Sequence, residues 1–380
     1  MGLLEVDMNA INPNTTPETK LQPLLLAPDN FTPRSRTPWA GQDIHSRYKK
    51  NHSTEAWIGE SWEISCDPDF PSNIVDATGN PTGKTLQEAI SANPEAMISP
   101  QLAREWGREA SCPILVKLVN ASSPLSVQVH PTDDDLALKP NECGKPESWL
   151  ILHAEPESGI YIGLKRPWDK DSLRDALTTG KFSADDLQFV PVQEGDYFEL
   201  TPGILHAIGP GTTILEPQRI KFGKGGKTYR VWDWNRRYNA QGYEDPVAGT
   251  PRELHVNEAL TVFDPATQHG HEFAQSTKRT ASRSHPAKGV NVLTFPTNEN
   301  YAVRRIQMLP GATCHLEVLG GQGFATITVL DGSLNLGTVR IPAGQSAFVP
   351  WAALPASLES SLGGNFALVS HAALDIAVTP

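Results

Sequence analysis

Short apolar segments of alternating polarity, each closed by glycine or proline, restrict the fold of this chain more than any other feature of its sequence. Segments this short with a period of two are typical of β-strands, whereas a helix needs a longer run with a period of about 3.6. The pattern therefore predicts a mainly β protein built from hairpins. Examples are LSVQVHP, ESWLILHA, GIYIGL and GILHAIG, in a chain that has 30 glycines and 32 prolines.

Four possible metal ligands lie in or beside three of these segments. Gln128 and His130 are two residues apart, so on a strand both side chains point to the same face. Glu147 follows the turn GKP, and His206 comes soon after a Pro-Gly turn. A single histidine in an apolar strand is more often structural. Two imidazoles, a carboxylate and an amide oxygen together suit an open site for zinc, manganese or iron.

The net charge of the chain restricts the kinds of molecule that it can bind. The formal net charge of −11 and the pI near 5.5 argue against nucleic acid and against an anionic membrane, although a local basic patch can still capture a small anionic substrate. The four cysteines form no paired spacing, which indicates reduced thiols in a cytoplasmic protein. No apolar run approaches the length of a membrane span, and the N-terminal residues lack the pattern of a signal peptide.

Changes in composition divide the chain into consecutive parts. The helical insertions are indicated by amphipathic stretches, the first with Thr85 and the second with Asp169 or Asp171 as the N-cap. The last part carries His315 and His371, but neither has a second donor two residues away, so we expect no metal there. The expected parts are a flexible arm (1–20), a first, catalytic β domain (21–262) with helical insertions near 84–107 and 169–190, a connecting segment (263–289) and a second β domain (290–380).

Four motifs in this order, LSVQVHP, GKPE, GILHAIG and TYRVWDW, resemble those of the type I mannose-6-phosphate isomerases, which are bicupin metalloenzymes. The resemblance runs from about residue 23 to about residue 262, and a weaker β pattern continues to residue 380. It implies two cupin (jelly-roll) barrels with helical insertions, the second without metal. It also implies one divalent metal per chain, with zinc as the expected ion. The implied ligands are Gln128, His130, Glu147 and His206.

The resemblance also assigns roles to residues around these ligands. Arg230 in TYRVWDW matches the active-site arginine of the family, and Lys145 matches a lysine two residues before the ligand glutamate. Ser126 and Lys117 match residues near the substrate phosphate, and Arg236 stands where long members carry a basic residue. The basic segment 219–227 is either a solvated loop or part of a phosphate-binding mouth.

The implied reaction is the interconversion of mannose 6-phosphate and fructose 6-phosphate through a cis-enediol. Lys145 and Glu216 are both candidates for the acid/base group, and the sequence does not decide between them. Two other functions stay open: another sugar or sugar-phosphate isomerase or epimerase of the cupin type, and a sugar-phosphate-binding cupin without catalysis. The expected partner is a small sugar phosphate. Oligomeric state is left open.

Overall fold

The computed structural model describes residues 21–49, 52–319, 323–371 and 375–380. The expected N-terminal arm, residues 1–20, lies outside the described residues. The described chain consists mainly of antiparallel strands joined by tight turns, so the predicted mainly β class is confirmed. No helix of the described residues is long and apolar enough to cross a membrane.

The described residues contain fifteen strands up to Trp232 and eleven more from Lys278 onward. The first group is β1 Leu24–Leu26, β2 Glu60–Ile64, β3 Asn73–Val75, β4 Pro81–Thr85, β5 Ile114–Ala121, β6 Val127–Val129, β7 Glu142–Cys143, β8 Glu147–Ala154, β9 Gly159–Leu164, β10 Leu187–Pro191, β11 Tyr197–Leu200, β12 His206–Ile208, β13 Thr212–Arg219, β14 Gly225–Gly226 and β15 Tyr229–Trp232. The second group is β16 Lys278–Arg279, β17 Ser282–Ser284, β18 Val290–Thr294, β19 Tyr301–Met308, β20 Ala312–Leu319, β21 Ala325–Leu336, β22 Val339–Pro342, β23 Ser346–Val349, β24 Ala356–Ser360, β25 Gly364–His371 and β26 Asp375–Thr379.

The helices are short and begin at residues that cap them. Thr85 forms a capping box with Glu88 at the start of the first helix, and Asp169 accepts a hydrogen bond from the Ser172 amide at the start of the fourth. Both predicted caps are therefore confirmed. The helices are α1 Leu86–Ala92, α2 Pro94–Ile98, α3 Pro100–Trp106, α4 Lys170–Thr178, α5 Val256–Val262 and α6 Gly270–Ser276, with single turns of other helix at Ile44–Tyr48, Gly107–Glu109, Ala184–Asp186 and Trp351–Ala353.

Two sheets built from strands between β2 and β16 face each other. One has five strands in the order β10-β9-β12-β6-β15, and the other has six in the order β16-β11-β8-β13-β5-β2. Apolar side chains from both sheets share one cluster, in which Ile160 and Ile208 of the five-stranded sheet join Val119 and Trp149 of the six-stranded sheet. The end of this interface that the apolar cluster does not fill contains the candidate donors.

The six-stranded sheet is covered on both faces. All eight residues of β5 are buried. Val116 and Leu118 point to a cluster shared with the C-terminal strands, whereas Val119 points to the five-stranded sheet. Lys117 lies on the same face as Val119, because alternate residues of a strand share a face. A strand covered on both sides explains the nearly continuous apolar run ILVKLV.

Strand pairing crosses the division expected from the sequence. The strands β1, β3 and β4 precede the first helix, yet β1 pairs with β23 and extends the large C-terminal sheet. The segment expected to be a surface connection, residues 263–289, contains α6 and the strands β16 and β17. It is ordered there because Phe263 and Ala274 are buried in clusters of the first sheet pair.

One expected core residue lies at the surface. The sequence WIGESWEIS favours Trp57, Trp62 and Ile64 as core residues, and the last two are buried. Trp57 is 42% exposed, since it lies in a bend before β2 and its ring stacks under the Arg34 guanidinium. The expectation was wrong at Trp57 because the strand starts only at Glu60.

Candidate metal centre and pocket

Three buried side chains meet where the two facing sheets open. The possible ligand atoms of His130, Glu147 and His206 all lie within 4.8 Å of one another. The His130 Nε2 atom is 3.2 Å from Oε2 of Glu147, and the His206 Nε2 atom is 3.2 Å from Oε1. All three side chains are at most 1% exposed, so water contributes little to their solvation.

Strand register brings these side chains together. His206 opens β12 and is paired with Gln128 of β6 on the neighbouring strand. The Gln128 Nε2 atom lies 3.4 Å from His206 Nε2, so the amide is at the edge of the same cluster. His130 follows β6 directly and shares the face of Gln128, as strand alternation predicts. Glu147 opens β8 and reaches the cluster from the opposite sheet.

Both histidines direct a lone pair into the cluster. Nδ1 of His130 is 3.1 Å from the Lys227 carbonyl, and Nδ1 of His206 is 2.8 Å from the Ile204 carbonyl. A carbonyl only accepts, so each Nδ1 carries the proton and each Nε2 of a neutral ring has its lone pair free. Burial and the nearby Lys145 ammonium lower the pKa of His130 to about 3, which keeps its ring neutral.

Glu147 is ionised and its two oxygens differ in their surroundings. Burial works against the charge, but the Lys145 ammonium holds the pKa of Glu147 well below its ordinary value. Its Oε2 atom is 3.0 Å from Lys145 Nζ and accepts a 2.9 Å hydrogen bond from Gln218 Nε2. Its Oε1 atom is buried and has no hydrogen-bond donor among the described residues.

These protonation states fit a metal cation. Oε1 of Glu147 and Nε2 of His130 are buried acceptors without a donor, and both belong to the same cluster of converging side chains. Unpaired buried acceptors that converge are unfavourable unless a cation lies between them. Glu147 and His130 are also deprotonated, as metal ligands must be. Gln128 completes the set if its amide turns by about 180° to present oxygen, an exchange of two nearly isosteric groups.

A cavity of about 360 Å³ opens in front of this cluster. It lies between the six-stranded sheet and the strands β6 and β15, and charged side chains dominate its wall. Six of the residues singled out from the sequence line it: Lys117, Ser126, Gln128, Lys145, Glu216 and Arg230. The sequence therefore identified much of the pocket wall before any contact was known.

Glu216, a carboxyl group of this pocket wall, has a strongly raised pKa. Its Oε1 atom accepts a 3.1 Å hydrogen bond from Trp149 Nε1, and its Oε2 atom is 3.8 Å from Lys117 Nζ. Burial and the Glu147 carboxylate raise the pKa of Glu216 to about 7. A carboxyl group with this pKa can take up and release a proton near neutral pH.

Lys117 is surrounded by groups that compensate its charge. Its Nζ atom lies 3.9 Å from Glu60 Oε2, 3.8 Å from Glu216 Oε2 and 4.3 Å from the centre of the Trp62 ring. The Trp62 Nε1 atom donates to Glu60, which fixes the carboxylate beside the lysine. Lys117 thus offers hydrogen bonds to a ligand but little uncompensated charge.

Arg230 is held at the other side of the pocket. Its Nη1 atom donates a 2.9 Å hydrogen bond to the Glu253 carbonyl, and its Nε atom is buried without a partner among the described residues. Burial and the neighbouring Arg252 lower the pKa of Arg230 to about 10, so the side chain stays cationic at neutral pH. No carboxylate of the described residues forms an ion pair with it.

The structure does not bring Arg236 to the pocket. Its guanidinium is 2.8 Å from Asp233 Oδ1 and donates to Ser123, and it is absent from the pocket wall. Arg252 lines the pocket instead. In the basic segment 219–227, Lys221 pairs with Asp133, and Lys227 is the one basic residue of the segment that lines the pocket, where it pairs with Glu142.

Several functional contacts were missed from the sequence. Gln218 and Trp149 each lie two residues from a residue already singled out, Glu216 and Glu147, so strand alternation places them on the same face. That signal was available. Arg252 lies in the segment between β15 and α5, where no periodicity indicates its direction.

Comparison with known proteins gives a consistent picture. Residues 39–161 match the family model of the phosphomannose isomerase type I catalytic domain. The mannose-6-phosphate isomerase of Streptococcus mutans is 31% identical over 226 residues, which are 59% of this chain and 64% of that relative. The crystal structure of the mannose 6-phosphate isomerase from Bacillus subtilis has a TM-score of 0.71 at 25% identity, covering 92% of this chain and 100% of that one.

A more distant structure, a mannose 6-phosphate isomerase bound with zinc and yttrium, has a TM-score of 0.63 at 17% identity and covers 93% of this chain and 99% of that one. The fold and the buried histidine–glutamate–histidine cluster define a bicupin protein with a candidate metal centre. In residues 39–161 and in its fold, the chain is similar to the type I phosphomannose isomerases.

Proposed function

We propose that this protein is a metal-dependent aldose–ketose isomerase that interconverts mannose 6-phosphate and fructose 6-phosphate through a cis-enediol. One observation carries the proposal: the unpaired acceptors of His130 and Glu147 converge next to Lys145, which with Glu216 and Arg230 lines a pocket. A sugar-phosphate substrate is also what the names of the related proteins state for those relatives.

The proposed metal ligands are Gln128, His130, Glu147 and His206. A bound divalent ion supplies positive charge that polarises sugar oxygens and stabilises negative charge developing on them. Zinc accepts nitrogen and oxygen donors of this kind and is the ion that we propose, one per chain. A structural relative with zinc bound supports this choice for that protein.

Glu216 is the proposed acid/base group. Isomerisation between an aldose and a ketose requires a proton to leave C2 and return at C1 on the same face of the enediol. A single carboxylate can carry that proton, and the raised pKa of Glu216, about 7, suits both uptake and release. The hydrogen bond from Trp149 to Oε1 fixes the carboxyl group, which leaves Oε2 for the proton.

Lys145 is better suited to donate hydrogen bonds than to act as the base. Burial opposes its charge, but Glu147 and Glu216 hold the pKa of Lys145 above its ordinary value, so it remains an ammonium group. An ammonium beside the pocket floor can donate to a sugar oxygen and stabilise the enediolate. Lys117 and Ser126 are proposed to donate to sugar hydroxyl groups in the same way.

The proposal is tested by metal analysis together with a coupled assay of fructose 6-phosphate formed from mannose 6-phosphate. We expect about one divalent ion per chain, and activity that EDTA abolishes and zinc restores. In deuterated water, deuterium should appear at C1 or C2, because the proton passes through Glu216. A protein that binds the ion but interconverts the two sugar phosphates in neither direction would instead be a sugar-phosphate-binding cupin. Turnover of a different sugar only would indicate another isomerase of this type.

A further inference from the structure

A second arginine, Arg252, lines the pocket, and no functional role was assigned to it from the sequence. Arg252 is in the segment between β15 and α5 and lines the same cavity as Arg230. Arg230 donates to the carbonyl of Glu253, the residue that follows Arg252, and the charge of Arg252 is close enough to lower the pKa of Arg230. Two adjacent cations in one pocket wall need a physical reason, since like charges destabilise each other.

Arg252 is held in one orientation. Its Nε atom is 2.7 Å from Asp233 Oδ2 and its Nη2 atom is 2.7 Å from Asp233 Oδ1, a bidentate pair that fixes the plane of the guanidinium. The ring of Tyr238 lies 5.5 Å from its central carbon. The side chain is 16% exposed, and its Nη1 atom has no partner among the described residues. One donor edge is therefore free.

Positive charge is in excess at this point of the wall. A single carboxylate, that of Asp233, faces three guanidinium groups, and both of its oxygens are already engaged. The neighbouring Glu253 carboxylate is 84% exposed, so water screens its charge, and it lies 3.9 Å from His255 Nε2. The three guanidinium groups belong to Arg230, Arg236 and Arg252, which leaves two positive charges uncompensated. In a chain with a net charge of −11, such an excess is a local feature.

We propose that Arg252, oriented by Asp233, binds the phosphate group of the substrate together with Arg230. A phosphate monoester carries up to two negative charges and accepts several hydrogen bonds, which matches the two uncompensated cations and the free Nη1 edge. This inference rests on the proposed function for the identity of the sugar phosphate. Lys117 is a weaker phosphate ligand than its resemblance implies, because Glu60 and Glu216 already compensate its charge.

The test compares R252A with the control R166A. Arg166 also has an aspartate partner, Asp186 at 3.9 Å, but it is 67% exposed and lies outside the pocket wall. In R252A the KM for mannose 6-phosphate should rise on the order of tenfold to a hundredfold, the loss of a charged hydrogen bond, while kcat changes little. The kcat/KM for unphosphorylated mannose should be the same in R252A and in the wild type, because mannose has no phosphate group for Arg252 to bind. R166A should match the wild type for both sugars.

A structural role of Arg252 would give a different result. An equal loss with mannose and with mannose 6-phosphate, or no change in either, would overturn the assignment. R252K keeps the positive charge but not the planar guanidinium that forms the bidentate pair with Asp233, so we expect a smaller rise in KM. This variant also tests the assignment if R252A does not fold.

Calorimetric titration with mannose 6-phosphate separates this inference from the proposed function. A wild-type protein that binds the sugar phosphate without turnover would refute the isomerase activity, yet selective loss of that binding in R252A would still support the phosphate contact. Unchanged binding in R252A would refute the contact, whatever the activity.

Discussion

The Gln218 side chain donates a 2.9 Å hydrogen bond to Oε2 of Glu147, and the two residues are paired across the neighbouring strands β13 and β8. This contact joins the carboxylate of the candidate metal centre to the rigid middle of the six-stranded sheet. A carboxylate oriented by a buried amide loses less conformational entropy when it binds an ion. Gln218 is therefore a support for the site rather than part of it.

Replacing Gln218 should weaken metal binding without removing a ligand. In Q218A we expect the zinc affinity to fall on the order of tenfold to a hundredfold, because Glu147 is no longer held by the amide. Competition with a chromogenic chelator measures this. Gln188, whose amide is exposed and bonds only to a backbone carbonyl, provides the control Q188A. Equal affinities in Q218A and the wild type would contradict the role.

Removing His206 should abolish metal binding and activity together. The H206A variant loses one of the clustered ligand atoms, and the remaining ligands are too few to hold the ion. The control is H315A, in the exposed face of β20, where we expect no metal. Metal content by elemental analysis should fall only in H206A. Full occupancy there, or a loss in H315A, would mean that the ion binds elsewhere.

The activity should fall at low pH as Glu216 becomes protonated. A base acts when it is deprotonated, so kcat/KM should decrease as the pH drops through the pKa of Glu216, which burial and Glu147 raise to about 7. Lys117, Lys145 and Glu60 face the same carboxyl group, and a bound cation moves the inflection to lower pH.

The variant E216Q checks that assignment. We expect kcat to fall by about a hundredfold to ten-thousandfold, the usual contribution of a general base, and the low-pH decline of the residual activity to disappear. Metal content should stay at the wild-type level. A pH profile unchanged in E216Q would assign the inflection to another group.

A buried ion pair connects the N-terminal segment to both β parts. Lys49 Nζ is 2.8 Å from Glu63 Oε1 and 2.6 Å from the Gly344 carbonyl, and both side chains are at most 1% exposed. K49M leaves the Glu63 charge buried without its partner, so the free energy of unfolding should drop by about 3–5 kcal/mol. Denaturant titration measures this. K278M removes the partly exposed pair with Asp196 and should cost less than about 1 kcal/mol.

Local patterns in the sequence determined the faces of strands and the starts of helices. Alternation predicted that Gln128 and His130 share a cavity, and the structure brings both to the cluster. The caps at Thr85 and Asp169 were predicted equally well, since a cap depends on residues within one turn. These properties follow from interactions between residues that are close in the chain.

Tertiary structure alone decided which faces meet. The pairing of β1 with β23, the contact of Gln218 with Glu147 and the position of Arg252 beside Arg230 join residues whose relation depends on strand register and loop path. A period of two gives the face of a residue but not its partner, because many registers satisfy the same alternation. Arg236 and Arg252 illustrate this: both bind Asp233, and only the fold determines which one faces the pocket.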